Sequence, residues 1–132
     1  MFKFLLCTIG LFSVSSMLAQ ENFSRKDSLI GGLRDERTSY DVMHYDVNLK
    51  VIPSEKRIVG FNEISFKVLK PTSKIQIDLF ENMNVDSIIY KNKPLRYRRD
   101  FGAVFIDFEK QLELNSETQK IKFYYSGKPI EA

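Results

Sequence analysis

Two residue types that build reactive centres are almost missing from this chain. It holds one cysteine, Cys7, and one histidine, His44, in 132 residues. No disulfide can form within the chain, and no zinc site can be built mainly from imidazole and thiolate. Trp is absent and there are only four prolines. Excess charge is scarce too: 20 Lys and Arg against 17 Asp and Glu leave +3, too little for this length to announce a nucleic-acid binder. What remains is a globular composition, 43% hydrophobic and 28% charged, enough for one domain with a core. The 11 Phe and 6 Tyr lean it towards strands, because bulky rings pack well on a pleated surface.

The first 20 residues read as an export signal. Lys3 supplies the positive start, Phe4-Leu5-Leu6-Cys7-Thr8-Ile9-Gly10-Leu11-Phe12 the apolar stretch, and residues 13–20 turn small and polar. Cleavage is expected between Ala19 and Gln20, with Met17 larger than the usual residue at its position; a cut after Ser16, with Val14 two places before it, is the alternative. The apolar run is shorter than the ~20 residues of a spanning helix, and serines interrupt it, which argues against an uncleaved anchor. The expected product is exported, periplasmic or secreted, free of cysteine, and carries a net +2.

Three segments follow from the pattern: a signal peptide over 1–19, a polar arm over 20–41 and a β-sandwich domain over 42–132. The arm has few apolar residues, a Gly31-Gly32 break and the charge runs Arg25-Lys26-Asp27 and Arg34-Asp35-Glu36-Arg37, which predict a loosely held, solvated stretch. From Val42 the chain reads strand after strand. Tyr45, Val47, Leu49 and Val51 share one face of the first. In the second, over 58–69, Val59 and Phe61 point one way and Ile64, Phe66 and Val68 the other, so a bulge is expected near Gly60 and Asn62. Further strands are expected over 75–79, 85–90, 95–97, 103–108 and 118–125. No apolar spacing of three and four persists, so no helix is expected. Seven short strands with regular turn signals predict an all-β antiparallel sandwich or barrel.

Catalytic patterns are not found. His44 stands alone, without a His-Glu-x-x-His helix or a Gly-x-Ser-x-Gly turn. Gly31-Gly32 lacks the rest of a phosphate-binding loop, and the carboxylates Asp78 and Glu81 are given no role. The basic run Arg96-Tyr97-Arg98-Arg99 reads as a solvated strand edge with Tyr97 turned into the core, rather than as a base-stacking surface.

The run Arg37-Thr38-Ser39-Tyr40-Asp41-Val42-Met43-His44-Tyr45-Asp46-Val47-Asn48-Leu49-Lys50-Val51 resembles the opening of the N-terminal domain of M1-family (gluzincin) aminopeptidases. The resemblance continues, in order, through Gly60-Phe61-Asn62-Glu63-Ile64-Ser65-Phe66, then Ile75-Gln76-Ile77-Asp78-Leu79-Phe80, then Ile121-Lys122-Phe123-Tyr124-Tyr125-Ser126-Gly127-Lys128-Pro129. The lead-in Asp27-Ser28-Leu29 with Glu36-Arg37 is similar to exported bacterial members. It implies the saddle-like N-terminal β-domain, present in part, of a zinc-dependent peptidase that removes N-terminal residues from peptides. In that family zinc is held by two His of His-Glu-x-x-His and a further Glu, and a Gly-x-Met-Glu-Asn loop anchors the substrate amine. None of those residues occurs here, so no catalytic, substrate-binding or metal-binding residue carries over, and no cofactor is expected in this chain itself. The implied partner is the catalytic domain of the same protein, with peptides as that protein's substrates and no nucleic acid or transmembrane segment. The competing expectations are a free-standing exported β-sandwich that binds a partner or glycan, and a catalytically dead relative kept as a scaffold. The Gly-Pro turn near the end predicts continuation into further strands. On that view Ile121, Phe123 and Tyr125 would be half covered and residues 21–132 marginally stable or self-associating.

Overall fold

Antiparallel pairing joins every neighbouring pair of strands in this protein. The computed structural model describes residues 23–130, so the leader and its Ala19/Gln20 junction lie outside the described residues. Two short helices, α1 (Arg25–Gly31) and α2 (Asp35–Thr38), precede eight strands. These are β1 (Tyr40–Ile52), β2 (Arg57–Val68), β3 (Thr72–Asp78), β4 (Met83–Tyr90), β5 (Lys93–Pro94), β6 (Arg96–Asp100), β7 (Ala103–Leu112) and β8 (Gln119–Gly127). A five-stranded sheet in the order β1-β2-β8-β4-β5 faces a three-stranded sheet in the order β3-β7-β6. The all-β sandwich read from the strand pattern is what the chain forms.

Local chemistry sets the turns. Lys91 and Asn92 both take positive φ between β4 and β5, the backbone that a two-residue hairpin matched to strand twist requires. Between β6 and β7, Phe101 takes positive φ before Gly102. Strand order then follows from where each apolar face can be covered. β8, last in the chain, inserts between β2 and β4 and is the centre of the large sheet.

The core lies between the sheets. Phe66, Ile75, Val104 and Ile106 are fully buried, with Ile64, Val68, Met83, Ile88, Phe108 and Leu112 around them. Phe66 meets Tyr40 edge-on at 5.6 Å, and Phe108 meets Tyr90 in the same way at 5.2 Å. Such edge-to-face pairs add to simple burial. Ile121, Phe123 and Tyr125 belong to this core at 1%, 3% and 9% exposure, which corrects the expectation of half-covered side chains there. The physical reason is non-local: β8 has a strand on each side, so the last strand in sequence is not an edge.

Three other expectations change. β2 carries no bulge, because it keeps unbroken register with β8 from Ile58 to Phe66. Its apolar residues change faces instead, with Phe61 on the outer face stacking on Tyr124 at 4.9 Å. The bulges sit in β1 between Val42 and His44 and in β4 between Val85 and Ser87, and the β3–β7 register breaks between Thr72 and Lys74, where the extra residues belong to β7.

The polar arm is not loose. Ser24 caps α1, accepting from the Asp27 N–H at 3.2 Å while Asp27 accepts from the Ser24 N–H at 3.0 Å. This reciprocal pair satisfies two backbone donors that a helix start leaves open. Leu29, 3% exposed, then packs on Ala103 and Phe105, the outer face of the small sheet. Among the described residues the layers are therefore helix, small sheet, large sheet.

The third change is one of degree. Tyr97 does lie on the inner face, opposite Ile106 of β7, but it stands at the margin of the core, 40% exposed, with its hydroxyl donating to the Val85 carbonyl of β4 at 3.0 Å.

Candidate functional site

The two sheets differ in size, and the mismatch opens a cleft. On the inner face of β2, the residues beyond Ile64 are Asn62 and Gly60, opposite Val47 and Leu49 of β1. A polar residue and a bare backbone there cannot continue the apolar core. The result is a cleft of about 620 Å³ lined by Arg37, Tyr40, Tyr45, Asn62, Asp78 and Tyr125, with Ile64, Ile77, Leu79 and Phe123 at its base.

Its polar groups are committed to one another. The Arg37 guanidinium meets the Asp78 carboxylate at 2.6 Å. The other Asp78 oxygen accepts from Gln76 Nε2 at 2.7 Å. Tyr40 donates to the Gln76 carbonyl at 2.6 Å, and Tyr125 to Asn62 Oδ1 at 3.0 Å. Burial pushes the Tyr40 phenol up to about 12, helped by nearby Tyr45. A phenol held neutral in this way is a hydrogen-bond donor and not a base near neutral pH. No side chain in the cleft is paired as a nucleophile is with its base. The arrangement suits binding or packing.

Gln76 links the cleft to the helices. Fully buried on the outer face of β3, it donates to the Leu29 carbonyl at 2.8 Å and accepts from Arg34 at 2.6 Å. Arg34 and Arg98 both lie over the Phe105 ring, at 5.3 Å and 4.6 Å. The charge run 34–37, read as a solvated surface, thus supplies two arginines that fix α1 and α2 to the small sheet. Sequence reading missed this, although Ser24-x-x-Asp27 is a capping-box signal.

The basic run of β6 also divides. Arg99 is half-buried and donates to four carbonyls: Leu79 at 2.9 Å, Phe80 at 2.6 Å, Phe101 at 2.9 Å, and Met83. Asp78 and Glu81 do not act together, since Asp78 pairs with Arg37 and Glu81 with Lys26 at 2.5 Å. His44 is exposed on β1. Among the described residues no three His, Cys, Asp or Glu side chains converge to hold a metal, so these residues do not fit a zinc site. Among them, too, no helix is long and apolar enough to cross a membrane.

Fold and cleft define a class first: a two-sheet antiparallel domain, backed by helices, whose inter-sheet cleft is polar and self-paired. A particular likeness comes with it. An M1 zinc metallopeptidase from Deinococcus radiodurans is 25% identical with a TM-score of 0.63, over 71% of this chain and 22% of that one. A two-domain M1 zinc metallopeptidase mutant bound to L-arginine is 25% identical with the same TM-score, over 73% of this chain and 22% of that one. Native yeast LTA4 hydrolase shares the fold alone, at 14% identity and TM-score 0.54, over 67% of this chain and 14% of that one. The sequence matches no family model and no curated protein. The chain resembles the N-terminal β-domain of M1 zinc metallopeptidases, and spans about a fifth of the length of those it matches.

Proposed function

We propose that this chain is the non-catalytic N-terminal β-domain of an exported, zinc-dependent M1-type aminopeptidase. The observation that carries the reading is the likeness of fold to the M1 zinc metallopeptidases, over most of this chain and a small share of theirs. The order of the quoted motifs supports it independently. On this reading zinc, the general base and the amine-anchoring loop belong to a catalytic domain of the same protein. The β-domain contributes a wall against which that domain packs, and peptides are the substrates of the whole. The leader directs export, with cleavage between Ala19 and Gln20.

The test is the reading frame past Ala132. A frame that continues through His-Glu-x-x-His and Gly-x-Met-Glu-Asn supports the proposal. A stop codon there, with a stable product that binds a glycan or protein partner, favours the free-standing module. Export is tested separately, by the mass of the protein recovered outside the cytoplasm: a start at Gln20 is expected, and an intact Met1 contradicts the leader.

A further inference from the structure

The longest of the described strands is also an edge. β1 has β2 on one side, and among the described residues no strand on the other. Residues 43–51 are exposed without interruption, and four of them form an apolar row on the inner face: Tyr45 at 53%, Val47 at 57%, Leu49 at 46% and Val51 at 60%. Soluble proteins blunt such edges with bulges, prolines or lysines. Here the bulge beside Met43 and the Pro53 turn stand at the two ends, and the nine residues between them, 44–52, contain no Pro and a single Lys, Lys50. At about 3.3 Å per residue they offer roughly 30 Å of open ladder.

The charges on this edge complement themselves. Asp46 and Lys50 lie on the outer face, two residues either side of Asn48. Among the described residues neither has an ion-pair partner. Asp46 stands opposite Glu63 of β2, a like charge that itself leans on Lys120 at 3.0 Å and Lys122 at 3.8 Å. Both lysines serve Glu63, and among the described residues Asp46 is left with only the Asn48 side-chain amide, donating to it at 3.4 Å. A cation on its open side would complete the row.

We propose that β1 pairs antiparallel with β1 of a second copy of this chain, on a two-fold axis through Asn48. In that register Asp46 faces the partner's Lys50 twice over. Val47 faces the partner's Leu49 and Tyr45 the partner's Val51, so the apolar rows abut on the inner face. The two five-stranded sheets become one continuous sheet, and both β1 edges are covered. A self-complementary patch of this kind is what a closed two-fold dimer requires. Nothing in this pairing draws on the peptidase reading.

The experiment is sedimentation equilibrium of the 132-residue chain and of charge-swapped variants, with far-UV circular dichroism to check folding. The parent chain is expected to dimerise. Asp46→Lys sets Lys against Lys in its own dimer, and Lys50→Asp sets Asp against Asp, so each variant alone is expected to dimerise about tenfold more weakly. Mixed in equal amounts, the two variants restore both opposite-charge pairs and are expected to associate as the parent does. The double variant Asp46→Lys with Lys50→Asp is expected to dimerise by itself. Recovery in the mixture also shows that each single variant is folded. A monomeric parent overturns the proposal, and slow amide exchange over residues 44–52 in that monomer would mean that another part of the same chain covers the edge. Association that ignores both charges overturns it as well, and points to the apolar leader.

Discussion

Replacing Arg99 by Met should loosen the link between the two sheets and lower stability by an amount the structure allows to be worked out. The Arg99 guanidinium spans the connection from β3 to β4, donating to the carbonyls of Leu79, Phe80 and Met83, and it also holds Phe101 in the turn after β6. Few other bonds serve that connection: Leu79 N–H donates to the Gly102 carbonyl at 2.8 Å and Met83 N–H to Phe80 at 2.9 Å. A hydrogen bond from a charged donor contributes about 1.5–3 kcal/mol. Arg99 is half-buried and its acceptors can turn partly to water, so four bonds together contribute about 2–4 kcal/mol rather than their sum. Against a domain stability of about 5–15 kcal/mol that is a large loss. At roughly 4 °C per kcal/mol for a chain of this size, the melting temperature should fall by about 8–16 °C. Arg99→Lys keeps the charge without the planar fork and should fall between. Arg96→Met, at an exposed position of the same strand, should change stability by less than about 0.5 kcal/mol. Urea unfolding followed by circular dichroism measures all three. An Arg99→Met variant as stable as the Arg96→Met variant would refute the bridging role.

Phe66→Ala removes a fully buried ring that meets Tyr40 and Phe108, and should cost about 3–5 kcal/mol by the same unfolding assay. Gly60→Ala should cost about 1–3 kcal/mol, since its methyl would stand 2.1 Å from the Asn48 carbonyl oxygen, a backbone atom that only a shift of β1 can move. An unchanged denaturation midpoint would mean that β1 adjusts freely. Tyr40 holds its proton to about pH 12 in the folded state, above the ordinary ~10 of the unfolded chain. Its contribution to stability is therefore complete below pH 10 and is lost as pH rises towards 12. Ultraviolet titration should show a late phenolate component that Tyr40→Phe removes.

Alternation in the sequence placed most of the strands and, in the first, the face its side chains take. It placed Tyr45, Val47, Leu49 and Val51 together, and they do share a face. It could not show that this face lies open, because burial depends on how far the opposite sheet extends. The same limit misplaced the exposed surface at Ile121, Phe123 and Tyr125: pairing order is set by contacts far apart in the chain, and β8 sits between β2 and β4. Helix α1 escaped a search for periodicity because its seven residues bury one side chain, Leu29. Arg99 escaped because a charge in a basic run looks solvated until its acceptors are located. The cleft needed both sheets and α2 before Arg37, Tyr40 and Asp78 could be seen to meet. The family resemblance, by contrast, was legible in motif order, since strand spacing survives where individual residues change.

On the proposed reading this chain supplies framework and leaves the zinc chemistry to a catalytic domain elsewhere in the same protein. The most direct measurement is zinc content after dialysis, with hydrolysis of aminoacyl-anilides, for the 132-residue chain and for the protein encoded by the frame extended past Ala132. The chain alone is expected to hold no stoichiometric zinc and show no turnover, and the extended protein to hold one zinc with chelator-sensitive turnover. One zinc retained by the 132-residue chain, with chelator-sensitive turnover of its own, would contradict that reading.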